Sequence, residues 1–215
     1  MNDWDLTILD DGLRIAQPRS GYRFSEDSVT LANFITIGSS ECLLDLCSGV
    51  GVIPLLLRNR LSFRTAVGIE RDPDLVGLAR LNVQLNGFGD QIQMVQGDVR
   101  KLADINWGDF VSPQSDHFDV VSANPPYWPI EAGRLSPNAQ KTSARHEVHL
   151  TLSELIDASR LKLKPGGRFY LVQPGFRERL VRKQLQATGY RICRLQSIER
   201  KTPLLVLEAQ LIGKA

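Results

Sequence analysis

Apolar residues along this chain come in short runs set between polar helices-to-be. "CLLDLC" (42–47) is nearly continuous apolar sequence, the pattern of a strand covered on both faces. A glycine turn follows, and "VIPLLLRNRL" after it predicts a helix, with Pro54 tolerated in its first turn. "TAVGIE" (65–70), "IQMVQ" (92–96) and "HFDVVSA" (117–123) predict three more strands. "DPDLVGLARLNVQLNG" (72–87) has acids at its start, apolar residues at helical spacing and Gly87 as its stop, so it predicts a helix. "TLSELIDASRLKLKPGG" (151–167) predicts a helix ended by proline and glycine. "RFYLVQ" (168–173) predicts a fifth strand and "FRERLVRKQLQATG" (176–189) another helix. "YRICRLQSIER" and "PLLVLEAQLI" predict a closing antiparallel hairpin. Alternating strands and helices imply an α/β fold, a mostly parallel sheet with helices on both faces.

The 215 residues suit one domain. Two stretches stand outside the alternation. Residues 1–41 form an extension before the first core strand. Residues 128–150, "WPIEAGRLSPNAQKTSARHEVHL", form a long polar connection after the fourth strand, a place where long loops carry function.

Composition narrows the class further. No apolar run approaches bilayer length. The acidic start "MNDWDLTILDDG" lacks the basic region and apolar core of a signal peptide, so a cytoplasmic protein is expected. Cys42, Cys47 and Cys193 form no CxxC pair, and His117, His146 and His149 are scattered, so neither a metal site nor a disulfide framework is expected. Net charge is +2, yet residues 160–201 hold twelve Lys/Arg against Glu178 and Glu199. That segment is +10 and the remainder −8, an asymmetry that points to an anionic partner.

The candidate chemistry lies at the strand ends. "LLDLCSGVGV" ends a strand, turns on Gly49 and Gly51 and opens a helix, so backbone can approach a ligand closely. It is neither a GxGxxG fingerprint, since Pro54 stands where the third glycine belongs, nor a GK[ST] loop. A nucleoside with an amino-acid tail fits better than a pyrophosphate, with Asp45 near the ligand's ammonium. Glu70, at the tip of the second strand, can accept both hydroxyls of a ribose. Asp72 is the better helix cap. Asp98, after the third strand, can accept from an adenine amine.

The fourth strand runs into "NPPYWP". Prolines fix φ and remove donors, which makes a stiff turn bearing one amide. An aromatic or amide NH2 is a weak nucleophile because its lone pair is delocalised. Asn124 Oδ1 and the Pro125 carbonyl can each accept one N–H, while Pro125 and Pro126 hold both acceptors rigid. Transfer then depends on positioning and electrostatics. Tyr127 can stack on a planar base and Trp128 can line the pocket.

"DLCSGVG", "IERDP", "GD" and "NPPY", in this order and spacing, resemble the class I S-adenosylmethionine-dependent methyltransferases that act on amino groups. That resemblance implies a Rossmann-like, seven-stranded, mostly parallel sheet with a C-terminal antiparallel hairpin and S-adenosylmethionine as cofactor. It also implies that Asp45, Cys47, Gly49, Gly51, Glu70, Arg71, Asp98, Val99 and Asn124 line the cofactor site. Cys47 departs from the pattern, since many relatives have glycine there. "GYRFSEDSVTLANFI" (21–35) and "SARHEVHLTLSELI" (143–156) resemble the tRNA1(Val) (adenine-N6)-methyltransferase family. In that resemblance the extension packs over the cofactor side with Asp27 near the cofactor, and Arg145 and His146 border the substrate mouth. Asp27 otherwise reads as a helix cap. The implied substrate is a tRNA adenine beside the anticodon. Guanine-N2 of rRNA, a release-factor glutamine, and a catalytically silent RNA-binding module on the same fold are the alternatives.

Overall fold

In the computed structural model, residues 3–105, 107, 117–125 and 150–213 are described. The chain opens with an antiparallel pair, β1 (Trp4–Ile8) and β2 (Arg14–Pro18), and then helix α1 (Glu26–Phe34). The main alternation follows: β3 (Cys42–Leu46), α2 (Val52–Arg60), β4 (Thr65–Glu70), α3 (Pro73–Leu85) and β5 (Ile92–Gln96). A 3-10 turn (Val99–Asp104) precedes β6 (Phe118–Ala123). Then come α4 (Leu152–Lys162), β7 (Leu163–Pro174), a short 3-10 turn (Gly175–Arg177), α5 (Glu178–Ala187), β8 (Tyr190–Ile198) and β9 (Leu204–Leu211).

β3 to β9 form one sheet of seven strands in the order β5-β4-β3-β6-β7-β9-β8. β3 to β7 pair in parallel, and β9 runs antiparallel between β7 and β8. The expected sheet and closing hairpin are both present. From β3 the chain winds outward to β5 and then returns to place β6 on the other side of β3. The switch therefore falls between β3 and β6, where open α/β sheets bind ligands. Leu46 pairs with Ala123 there, so the segments leaving both strands start side by side.

Strand alternation builds two cores. Leu44, Leu46, Val121, Phe169 and Leu171 pack on one face with Leu155 and Ile156 of α4 and Val181 and Leu185 of α5. Leu43, Val120, Tyr170 and Val172 pack on the other with Leu31 of α1, Leu55 of α2 and Ala79 and Val83 of α3.

Two elements differ from the sequence expectation. The helix at 151–167 stops at Lys162 and the strand begins at Leu163. Pro165 disfavours helical backbone at the residue before it, and Leu163 is already extended, with ψ 141°. The β1–β2 hairpin was unanticipated. Asn82 Oδ1 accepts from Ala16 N and its Nδ2 donates to Ala16 O, while Asn86 makes the same pair with Arg14. Two amides one helical turn apart thus cover the open edge of β2, as a neighbouring strand would.

Candidate active site

Asp72 caps α3 by accepting from Asp74 N and Leu75 N. Glu70 is thereby left for the glycine turn.

The turn between β3 and α2 is held by its neighbours. Cys47 adopts φ 58°, Gly49 φ 57° and Gly51 φ 82°. Left-handed backbone at Cys47 is strained, since only glycine adopts it freely. Ser48 N donates to Ile69 O, fastening the turn to β4. Gly49 N donates to Glu70 Oε2, and Arg71 N and Asp72 N donate to Glu70 Oε1. Tyr22, from the extension, lies on Gly49: a Cβ added there would sit 2.7 Å from its ring.

Asp45 lies beneath this turn with no exposed surface. Its Oδ2 accepts from Ser48 Oγ and its Oδ1 from Ser122 Oγ, both at 2.6 Å. One carboxylate therefore joins the glycine turn to β6, two residues before Asn124. Burial pushes its pKa up to about 7, against the lowering effect of both hydroxyls. Burial also raises Glu70, despite its three backbone donors. The Cys47 thiol is pushed well up by burial and then by Glu70, Asp45 and Asp98. The Arg100 guanidinium beside Asp98 holds that carboxyl down at about 2.

These residues fit S-adenosylmethionine. Glu70 raises the pKa of Asp45, and both raise that of Cys47, so a ligand bearing a sulfonium and an ammonium relieves repulsion. Glu70 retains lone-pair capacity beyond its three backbone contacts for a ribose hydroxyl. Asp98 is engaged by Arg100 through its side chain and through Arg100 N. Val99 is buried in the following turn.

At the tip of β6, Asn124 is half-buried and Pro125 buried. Asn124 Nδ2 donates to Ser28 Oγ of α1 at 2.8 Å. The cap of α1 is Ser25, so Asp27 is not the cap; buried in the first turn, it pairs with Arg200 Nη1 at 2.7 Å. Pro126, Tyr127, Trp128, Arg145 and His146 lie outside the described residues. No group of three or more His, Cys, Asp or Glu among the described residues could hold a metal.

The structure thus brings Asp45, Cys47, Gly49, Gly51, Glu70 and Asn124 to the switch point. Sequence reasoning missed Ser28, Tyr22, Ser48, Ser122 and Arg200. Ser122 carried a signal: it is a lone hydroxyl in an apolar strand, on the same face as Asn124.

A sheet in this order, with a glycine turn and acids at its switch point, is that of a class I transferase using a nucleoside cofactor. The sequence model of the methyltransferase domain matches residues 37–203, and this chain belongs to that family; it is an S-adenosylmethionine-dependent methyltransferase. A relative from Tolumonas auensis, the tRNA1(Val) (adenine(37)-N6)-methyltransferase, is 28% identical over 90% of this chain and 78% of its own. A relative of the same name from Porphyromonas gingivalis is 34% identical over 74% of this chain, which spans 59% of that relative's length. P. horikoshii TYW2 in complex with MeSAdo shares the fold, with a TM-score of 0.67 at 14% identity over 99% of this chain and 73% of its own.

Proposed function

We propose that this chain methylates N6 of an adenine in tRNA, beside the anticodon. The observation that carries the reading is Asn124, with Pro125, at the tip of β6 directly beside the glycine turn. The names of the relatives support the same substrate. In this mechanism Asn124 Oδ1 and the Pro125 carbonyl each accept one N–H of the exocyclic amine. Its lone pair is thereby turned toward the cofactor side. S-adenosylmethionine, when bound, supplies the electrophilic methyl. Glu70 would hold the ribose. Asp45, buried beneath the glycine turn, would act on the ammonium only through its charge and the turn it fastens. Tyr22 with the rest of the extension would cover the cofactor side of a single domain. Tyr127 stacks on the base, and Trp128, Arg145 and His146 line its approach. An anticodon-loop base can be splayed out without opening a duplex.

The basic segment contributes less charge than its sequence suggests. Lys164 pairs with Asp119, Arg168 with Glu41, Arg182 with Glu178, Arg194 with Glu208 and Arg200 with Asp27. Arg179, Lys183 and Lys201 are exposed and form no ion pair among the described residues, so they are the phosphate contacts of this proposal. No described helix is long and apolar enough to cross a membrane. We place the enzyme in the cytoplasm with its tRNA.

The test is methyl transfer from labelled S-adenosylmethionine to tRNA, rRNA and protein offered separately, followed by nucleoside mass spectrometry. N6-methyladenosine in tRNA, abolished by Asn124→Ala without loss of cofactor binding, is the expected result. Label in rRNA or protein overturns the substrate. Cofactor binding without transfer to any of the three leaves a silent binding module.

A further inference from the structure

An asparagine amide has an accepting end and a donating end, exchanged by a half-turn of its last torsion. Only one orientation serves an amine. With Oδ1 facing the substrate the amide accepts an N–H; reversed, it sets donor against donor. Something must therefore hold the other end.

That hold is visible. Asn124 Nδ2 donates to Ser28 Oγ at 2.8 Å, across 96 residues of sequence. Ser28 is 2% exposed, so water does not compete for its hydroxyl. The other hydroxyl close by in sequence, Ser122 Oγ, is committed to Asp45. The turn carrying Ser28 is itself fastened. Its backbone N–H donates to Ser25 O, and the preceding residue, Asp27, is 4% exposed and paired with Arg200 from the β8–β9 connection. Arg200 Nε is in turn fixed on Thr202 O.

We infer that Ser28 is a positioning residue: its hydroxyl, accepting from Asn124 Nδ2, holds the amide with Oδ1 outward, the orientation that takes a planar amine and opposes a carbonyl at the same place. The inference rests on the proposed methylation of an adenine amine and adds the reason the site discriminates. Adenine presents N–H where hypoxanthine, its deaminated counterpart, presents oxygen. An acceptor aimed at that oxygen repels it. The Asp27–Arg200 pair acts one step further back, by fixing the turn that carries the hydroxyl.

Two measurements test this. The first is the side-chain amide of Asn124 in a proton–nitrogen NMR spectrum, assigned by its loss in Asn124→Ala. One Asn124 NH2 proton should exchange slowly with water in the wild-type protein and rapidly in Ser28→Ala. Equal exchange in the two proteins overturns the inference, whatever the substrate proves to be. The second is kinetic, with tRNA as methyl acceptor. Ser28→Ala should lower kcat by about tenfold, equivalent to about 1.4 kcal/mol, with cofactor affinity held and Ser28→Thr recovering much of the loss. The same tRNA carrying inosine at the methylated position should compete better against Ser28→Ala than against the wild type. Unchanged kcat and unchanged discrimination in Ser28→Ala overturn it. Slow amide exchange in a protein that methylates no tRNA would keep the Ser28 hold and remove the adenine reading.

Discussion

Replacing Asp45 with asparagine should make this protein more stable above neutrality and less able to hold its cofactor. Asp45 has no exposed surface, and burial raises its pKa from the ordinary 3.8 to about 7. Between those values the folded protein keeps a proton that the unfolded chain has released. Stability must then fall as pH rises through that window: the contribution of this proton is full below the unfolded pKa and lost above the folded one. A rise of about three pH units at about 1.4 kcal/mol each gives a loss of about 4 kcal/mol by pH 8. The asparagine side chain is the same size and stays neutral. Its oxygen can accept from one serine hydroxyl and its NH2 can donate to the other, so the links now made to Ser48 and Ser122 survive. Urea melts of the two proteins at pH 5, 6, 7 and 8 check this. The Asp45→Asn variant should match wild type only below about pH 4, lead it by about 2 kcal/mol at pH 5 and gain about 1.4 kcal/mol more per pH unit towards pH 7. Calorimetry should show weaker S-adenosylmethionine binding in the variant. A stability difference that does not change with pH would mean that Asp45 is ionised throughout, and would refute the desolvation argument.

Asn82→Ala should cost about 3–5 kcal/mol in urea melts, because three backbone groups, Ala16 N, Ala16 O and Val50 O, lose a buried partner at about 1–3 kcal/mol each before relaxation; a loss under about 1 kcal/mol would mean that water replaces the amide. Converting Arg179 and Lys183 to Gln should weaken tRNA binding and flatten its salt dependence by about 0.7–0.9 for each phosphate no longer neutralised, while Arg194→Gln and Arg168→Gln, each paired with an acid, should change the slope less. Gly49→Ala should impair cofactor binding and activity, since its Cβ would drive Tyr22 off the glycine turn at φ 57°; unchanged calorimetric affinity would show that Tyr22 moves at no cost.

The parallel strands were legible because burial on both faces leaves an uninterrupted apolar run. β4 and β5 therefore fall where "TAVGIE" and "IQMVQ" place them. β1 and β2 were not legible. Leu6 and Ile8 are exposed, while β2 hides Gln17 and Pro18, so neither strand shows clean inside–outside alternation. In the site, the sequence placed acids at the strand tips but could not say what each one holds. Asp98 turns to Arg100, two residues away, and Asp45 to one serine nearby and another on β6, a partner that only strand pairing supplies. The same is true of charge. Summed along residues 160–201 it overstates the surface potential, because Glu41, Asp119, Asp27 and Glu208 meet those cations only once the chain folds.

The amide pairs that cover β2 also give the protein a chemical clock. Asn86 precedes Gly87, a dipeptide in which the glycine amide nitrogen readily attacks the side-chain carbonyl and expels ammonia. Here Gly87 N is engaged with Gln84 O, and both ends of the Asn86 amide are held on Arg14. Folding therefore slows the reaction by withholding its geometry. Once water has opened the cyclic imide so formed, the new carboxylate sets an oxygen against Arg14 O where an N–H had been. Aged protein would thus shed its N-terminal hairpin first, and with it the segment that carries Tyr22 over the glycine turn.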